Sequence, residues 1–209
     1  NGQKLFISNV GYGQRIGLVT MDENYKLREL SGQLEKGESR KMVVVIIDLP
    51  KEPSENFEVI GYKINALKRI QNVGLRFKDF KVSKDNILIW DANTPEATAT
   101  KGLNIAYMGL NRGRMALCAN ASGATLAMAG SMLPWAHKRI SMGQPIEGWK
   151  NVQERIGLSA GYSLAMRFLA DFTGELLDKR YRPEIECEVA KVFGSERQKE
   201  VAIECVMKT

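Results

Sequence analysis

This chain has little with which to build metal or disulfide chemistry. Of its 209 residues three are cysteine, Cys118, Cys187 and Cys205, and one is histidine, His137. An odd number of thiols without CxxC spacing makes no disulfide framework, and with a single imidazole there are too few ligands for a zinc site. A reducing compartment and no structural metal are expected. No apolar run of about 18 residues stands out, nor does a cleavable leader, so neither a membrane span nor a secretory signal is expected. Repeats and low-complexity tracts are missing. The formal charge of +6, from 30 Lys and Arg against 24 Asp and Glu, is spread along the chain without a basic tail. It suggests an anionic partner and does not identify one. The first residue is Asn1 and not Met, which predicts a preceding segment.

The apolar content of 44% is enough for a core of its own. From Lys4 to about Trp90 the pattern is that of strands: Lys4 to Ser8, Arg15 to Met21, Lys41 to Leu49, Phe57 to Tyr62 and Val73 to Val82 are short runs of branched and aromatic residues. Met42 to Asp48 is almost continuously apolar, as in a strand covered on both faces. In the last run Leu75, Phe77, Phe80 and Val82 alternate with charged residues, with a break in phase at Asp79 that reads as a bulge. These strands predict a small barrel or sandwich. Asp91 to Thr100 has linker composition, and beyond it the hydrophobic period becomes helical.

Three long helices are expected there: about Gly102 to Arg139, interrupted by Pro134 with a kink near Gly130; about Gly148 to Leu177, with Val152, Ile156, Ser159, Tyr162, Met166, Leu169 and Leu176 on one stripe; and from beside Pro183 towards Met207, with Ile185, Val189, Val192 and Val206 as the apolar side. The expected class is therefore α+β, with residues 1–95 forming a β-domain and 101–209 a helical bundle; the resemblance described next implies that the first is partial and the second incomplete.

Specific segments carry a resemblance. NGQKLFISN, Asn1 to Asn9, is similar to the NGxKxWITN strand of acyl-CoA dehydrogenases. GLRFKDFKVSKDNIL, Gly74 to Leu88, resembles the family's xxFEDVxVPxxNxL. GLNIAYMGLNRGR, Gly102 to Arg114, looks like the start of its first long helix, and RISMGQPIEGWKNVQERIG, Arg139 to Gly157, resembles RxQFGxxIxxFxxxQxxLA. AKVFGSE, Ala190 to Glu196, is similar to the helix before the family's glycine-rich turn. Together, in the family's order, they cover nearly the whole chain. The long interval between Arg139 and Gln153, with NRGR and FGSE, resembles the very-long-chain branch and its large bacterial relatives, which hints at long-chain substrates.

The resemblance implies a partial β-barrel followed by a long-helix bundle, FAD as cofactor, and α,β-dehydrogenation of fatty acyl-CoA thioesters in β-oxidation, in which the flavin does the hard chemistry and the protein positions it and supplies one base. It implies that Phe6 packs on the isoalloxazine and Ser8 bonds its edge, where relatives more often have Trp and Thr. Arg139 would reach the flavin pyrophosphate of a neighbouring subunit, Met142 would stand at the usual Phe position beside the adenine, and Gln153 would bond the dinucleotide. Asn111 and Arg114 would meet the acyl-CoA. Gly113 occupies a position where some relatives carry the catalytic glutamate; here the base is expected beyond Thr209. At Lys68 to Asn72 relatives have R-x-S-x-T; Asn72 can stand in for the threonine, whereas Ile70 cannot replace the serine.

An electron-transfer flavoprotein or similar acceptor, and assembly into a homodimer or homotetramer, follow from the same likeness, with a bacterial cytoplasm or mitochondrial matrix as the compartment. Read without it, Phe6 and Ser8 are a strand core and edge, Arg139 a cation at a helix end, and His137, Glu147, Glu154, Glu184, Glu186 and Glu196 solvated surface. A second reading is a non-catalytic assembly or nucleic-acid-binding module of the same fold, motivated by the basic pI of 9.2, Gly113 and the missing base.

Overall fold

The computed structural model describes residues 1–21, 27–28, 30–33, 42–64, 69–88 and 95–208. Lys68 and the stretch from Trp90 to Thr94 lie outside them. Two compact units are distinguished, Asn1–Ala106 and Tyr107–Thr209.

The first unit holds strands β1 (Gly2–Ser8), β2 (Arg15–Met21), β3 (Met42–Asp48), β4 (Phe57–Tyr62) and β5 (Asn72–Phe77). All ladders are antiparallel: β1-β5-β4 make one sheet and β2-β3 another. The two sheets share a core of Val43, Val45, Ile47, Phe57, Val73, Leu75 and Phe77, so that Val73, Leu75 and Phe77 mark the inner face of β5. Of the two architectures expected, the strands therefore show a sandwich of two small sheets; among the described residues no strand ladder joins them into a barrel. Phe57 is the centre of that core, 1% exposed, with Phe77 and Phe80 rings at 5.3 and 6.1 Å and the Tyr12 ring edge-on at 5.8 Å. Tyr12 is tied in place by the Val59 N–H, which donates to its hydroxyl at 3.1 Å. Truncating such a buried ring costs about 3–5 kcal/mol.

The phase break at Asp79 is a turn and not a bulge. β5 ends at Phe77, and Asp79 takes φ +49° while its N–H donates to the Asn1 side chain at 2.6 Å. The bulge is in β1: between the pairs Lys4↔Leu75 and Ile7↔Val73 one strand advances three residues and the other two.

The helices are α1 (Pro95–Lys138), α2 (Lys150–Asp178) and α3 (Glu184–Lys208). α1 starts at Pro95, inside the stretch expected to be a linker. A proline is well placed at the first helical position, where its fixed φ fits and no N–H partner is needed. Pro134 does not break the helix, which runs on to Lys138. Gly102 is required where it stands, because a side chain there would collide with the Met42 backbone carbonyl.

In the second unit α1 and α2 are stitched by small polar side chains. Ser122 donates to the Ser163 carbonyl at 2.8 Å and Ser163 to the Ser122 carbonyl at 2.9 Å, while the Cys118 thiol points at the Met166 carbonyl at 3.4 Å. All four are buried, and the short side chains let the helices approach closely enough for these bonds to form. The expected stripe of α2 is turned inward, with Ser159 and Met166 buried and Val152, Ile156, Tyr162, Leu169 and Leu176 partly so. The expected stripe of α3 is wrong. Ile185, Val189, Val192 and Val206 are 52–75% exposed, and the buried side is Cys187, Ala190, Gly194 and Val201. By length and composition Gly102–Lys138 is also apolar enough to cross a membrane, with 33% of its most apolar window buried; a helix packed in a bundle meets the same criterion.

Candidate functional site

In the first unit, the residues expected to receive a flavin ring lie together on the face of the β1-β5-β4 sheet opposite the core. The bulge puts Phe6 at φ +56°, a left-handed conformation that costs a branched or aromatic residue about 1–3 kcal/mol. Its ring is 68% exposed and 5.6 Å from the ring of Tyr62. Tyr62 reaches this place because β5 has Gly74 beneath it: a methyl group at Gly74 would lie 3.0 Å from Tyr62 Cζ and nearer still to its hydroxyl. Ser8 is exposed and pairs in register with Asn72, which pairs in turn with Tyr62. The Asn72 amide is 5% exposed and donates from Nδ2 to Ser8 Oγ at 3.3 Å. Its Oδ1 is buried and has no partner among the described residues. A strained aromatic shelf, a hydroxyl and an unpaired buried carbonyl oxygen on one face suit a flat heteroaromatic ring with hydrogen-bonding edges. Ile70 is 39% exposed and offers no such bond.

In the second unit, Arg139, Met142 and Gln153 gather at a corner. Ile140–Ser141 and Gln144–Pro145 are the strands β6 and β7 of a hairpin whose two turn residues, Met142 and Gly143, have φ +50° and +82°. Two positive values are what a tight two-residue hairpin requires. The cost of placing methionine there is offset by no packing, since Met142 is 88% exposed. Arg139 is fixed through its backbone, its N–H donating to Trp135 O and its carbonyl accepting from Ile146 N, both at 2.9 Å. Its exposed guanidinium makes no ion pair with any described residue. Gln153, in the first turn of α2, donates from Nε2 to the Glu147 carbonyl at 2.9 Å. Glu147 meets His137 Nδ1 at 2.9 Å; both side chains stay exposed, as expected of solvated surface, and meet beside this corner. No sequence spacing announces that contact, because it depends on how the hairpin folds back.

Asn111 and Arg114 are brought together one turn apart on α1. Arg114 Nη1 donates to Asn111 Oδ1 at 2.9 Å and lies 3.4 Å from Glu188 on α3. Asn111 is 3% exposed, whereas Arg114 keeps about a quarter of its side chain in solvent. Glu188 was not legible beforehand; only the crossing of α1 and α3 places it there. The neighbouring Cys187 thiol is pushed above its ordinary value, first by burial, then by Glu186, with Arg114 opposing. At Gly113 a methyl group would meet nothing within 4 Å. Among the described residues no cluster of His, Cys, Asp and Glu could hold a metal ion.

Comparison with known proteins extends this geometry. Residues 100–207, just over half of the chain, match the family model "Acyl-CoA dehydrogenase, C-terminal domain". A probable acyl-CoA dehydrogenase, FadE10 of Mycobacterium tuberculosis, is 27% identical over 135 residues, 64% of this chain and 20% of the relative. The mitochondrial very-long-chain-specific acyl-CoA dehydrogenase of Rattus norvegicus is 25% identical over 213 residues, 99% of this chain and 29% of the relative. The chain thus spans less than a third of the length of either. In three dimensions the butyryl-CoA dehydrogenase of Megasphaera elsdenii has the same fold, with a TM-score of 0.78 at 20% identity over all of this chain and 49% of that one. Since the family model covers the bundle and the rat relative aligns along nearly the whole length, β-strands included, the chain belongs to the acyl-CoA dehydrogenase family.

Proposed function

We propose that these residues form part of an FAD-dependent enzyme that dehydrogenates fatty acyl-CoA thioesters at the α,β position, as in fatty acid β-oxidation. The observation that carries the reading is the outer face of β1: an exposed Phe6 ring held out on a strained bulge, beside an exposed Ser8 hydroxyl backed by a buried amide. A strand built only for a core would turn that ring inward. When bound, the flavin would accept the hydride leaving the substrate's β carbon.

The chain's own residues bind and orient. Phe6 and Ser8 receive the ring system, and Arg139 offers a planar fork of donors to a pyrophosphate. Gln153, tied to the Glu147 carbonyl by its amide donor, keeps its acceptor oxygen for the dinucleotide; Met142 gives an apolar contact without stacking. Arg114, aimed by Asn111 and tempered by Glu188, presents a cation to the acyl-CoA. The base is proposed to follow Thr209.

Large apolar side chains such as Leu126, Phe168 and Phe172 are more than half exposed on α1 and α2, which supports a homodimer or homotetramer in which they are covered. An electron-transfer flavoprotein as acceptor, long-chain substrates, and a bacterial cytoplasm or mitochondrial matrix complete the proposal. The test is direct: the complete protein, purified and supplied with FAD, is expected to show the visible absorbance of bound oxidised flavin and to lose it on addition of fatty acyl-CoA. A colourless protein after FAD loading rejects the proposal.

A further inference from the structure

We propose that Asn72 is a positioning residue that sets the hydrogen-bond polarity of Ser8, holding the serine hydroxyl as a donor towards a ligand acceptor. The inference rests on the reading of the β1 face as the flavin-ring site, and adds to it a residue that acts through another.

Asparagine is a poor residue for the middle strand of a sheet, and β5 lies between β1 and β4. Val73, Leu75 and Phe77 point into the core, so alternation places Asn72 on the opposite face. There it is 5% exposed. Its amide brings two donor hydrogens and a carbonyl oxygen out of water, and each group left without a partner there is destabilising. The surroundings repay little of this. Nδ2 donates to Ser8 Oγ at 3.3 Å, and Oδ1 has no partner among the described residues. Packing does not account for such a residue, and its one side-chain hydrogen bond among the described residues runs to the hydroxyl that the proposed function assigns to the ligand.

The consequence is a matter of proton counting. A serine hydroxyl has one proton and two lone pairs. With Asn72 Nδ2 filling one lone pair, and with no lone pair on that nitrogen to take the hydroxyl proton, the Ser8 O–H is turned to an acceptor elsewhere. Ser8 is exposed on the same face as the Phe6 ring, so the fitting acceptor is a ring nitrogen or carbonyl oxygen at the edge of a flat heteroaromatic group, as on an oxidised isoalloxazine. The other orientation of the amide would reverse the assignment: Oδ1 would take the Ser8 proton and leave the hydroxyl an acceptor only. The variants below separate the two orientations.

The experiment uses the complete protein stripped of flavin, with FAD titrated calorimetrically into wild type, Ser8→Ala, Asn72→Ala, Asn72→Asp and the double variant Ser8→Ala/Asn72→Ala. Melting curves serve as the folding control. Asn72→Ala is expected to weaken FAD binding by about two- to tenfold, the worth of one neutral hydrogen bond. Introduced on top of Ser8→Ala it is expected to add less than about twofold, because its effect passes through the missing hydroxyl. Asn72→Asp keeps the shape and remains informative if the alanine variant does not fold. As an acceptor it draws the Ser8 proton to itself, so it is expected to bind FAD more weakly than wild type by a similar factor. Wild-type affinity in Asn72→Asp, or full additivity of Asn72→Ala with Ser8→Ala, overturns this inference while leaving the flavin reading intact. A wild type that does not bind FAD overturns both.

Discussion

The most closely surrounded glycine of the helical unit gives its sharpest prediction. A methyl group at Gly194 on α3 would lie 3.1 Å from Cys118 Cα, 3.3 Å from its sulfur and 3.5 Å from the Ala121 methyl. The first of these is backbone and cannot swing away. Alanine is the better helix former by about 1 kcal/mol, and overfilling a packed contact costs about 1–3 kcal/mol, so Gly194→Ala is expected to leave stability unchanged or to lower it by up to about 2 kcal/mol. Gly161 on α2 is the control, since a methyl there meets nothing within 4 Å. Gly161→Ala should collect the helix gain alone, about 0.5–1 kcal/mol. The quantity to measure is the difference between the two variants in urea unfolding followed by helical circular dichroism, with about 1–3 kcal/mol expected in favour of Gly161→Ala. Equal stabilities would mean that α1 and α3 do not approach at Gly194 as described, and the account of α3 burying its small side would fall with it.

Gly74→Ala should expel the Tyr62 ring from its seat on β5 and so deprive Phe6 of its ring partner, a loss of about 0.5–1.5 kcal/mol with a changed near-ultraviolet dichroism; an unaltered aromatic spectrum in a folded variant would refute the shelf. The Cys118 thiol is raised above its ordinary value of 9.0 by burial. Because the folded value exceeds the unfolded one, its contribution to stability is complete below about pH 9 and is lost as pH climbs through the folded value. Cys118→Ala should therefore flatten the alkaline fall in the urea midpoint, and a slope as steep as wild type would show that burial of this thiol is not its source.

Some of this was legible before any coordinates. The continuous apolar run in β3, the change to helical period, the inward stripe of α2 and the segments shared with acyl-CoA dehydrogenases are all local patterns, and the local patterns held. Where the reading failed, the reason was that one-dimensional pattern records hydrophobicity and not fit. Ile185, Val189 and Val192 look like a core stripe, yet α3 turns Cys187, Ala190 and Gly194 inward, because a close helix crossing rewards small side chains over large ones. The linker composition ahead of Gly102 hid a helical start at Pro95. The Asp79 break in phase was a turn, and the bulge lay in a strand whose sequence shows no sign of one.

What the sequence determined by itself was therefore the order of elements, the family, and the residue types available for chemistry: Phe6 and Ser8 on one strand, Arg139 and Gln153 around one corner, Asn111 and Arg114 one turn apart. What only the tertiary structure decided was how those residues are held. The row Ser8, Asn72, Tyr62 exists because three strands far apart in the chain fall into register, and Phe6 faces outward because one extra residue in β1 has to go somewhere. Glu188 meets Arg114, and Glu147 meets His137, through crossings and turns. Composition and spacing specify which groups a chain carries, but hydrogen bonds act over about 3 Å, and at that range only the folded backbone determines which groups meet.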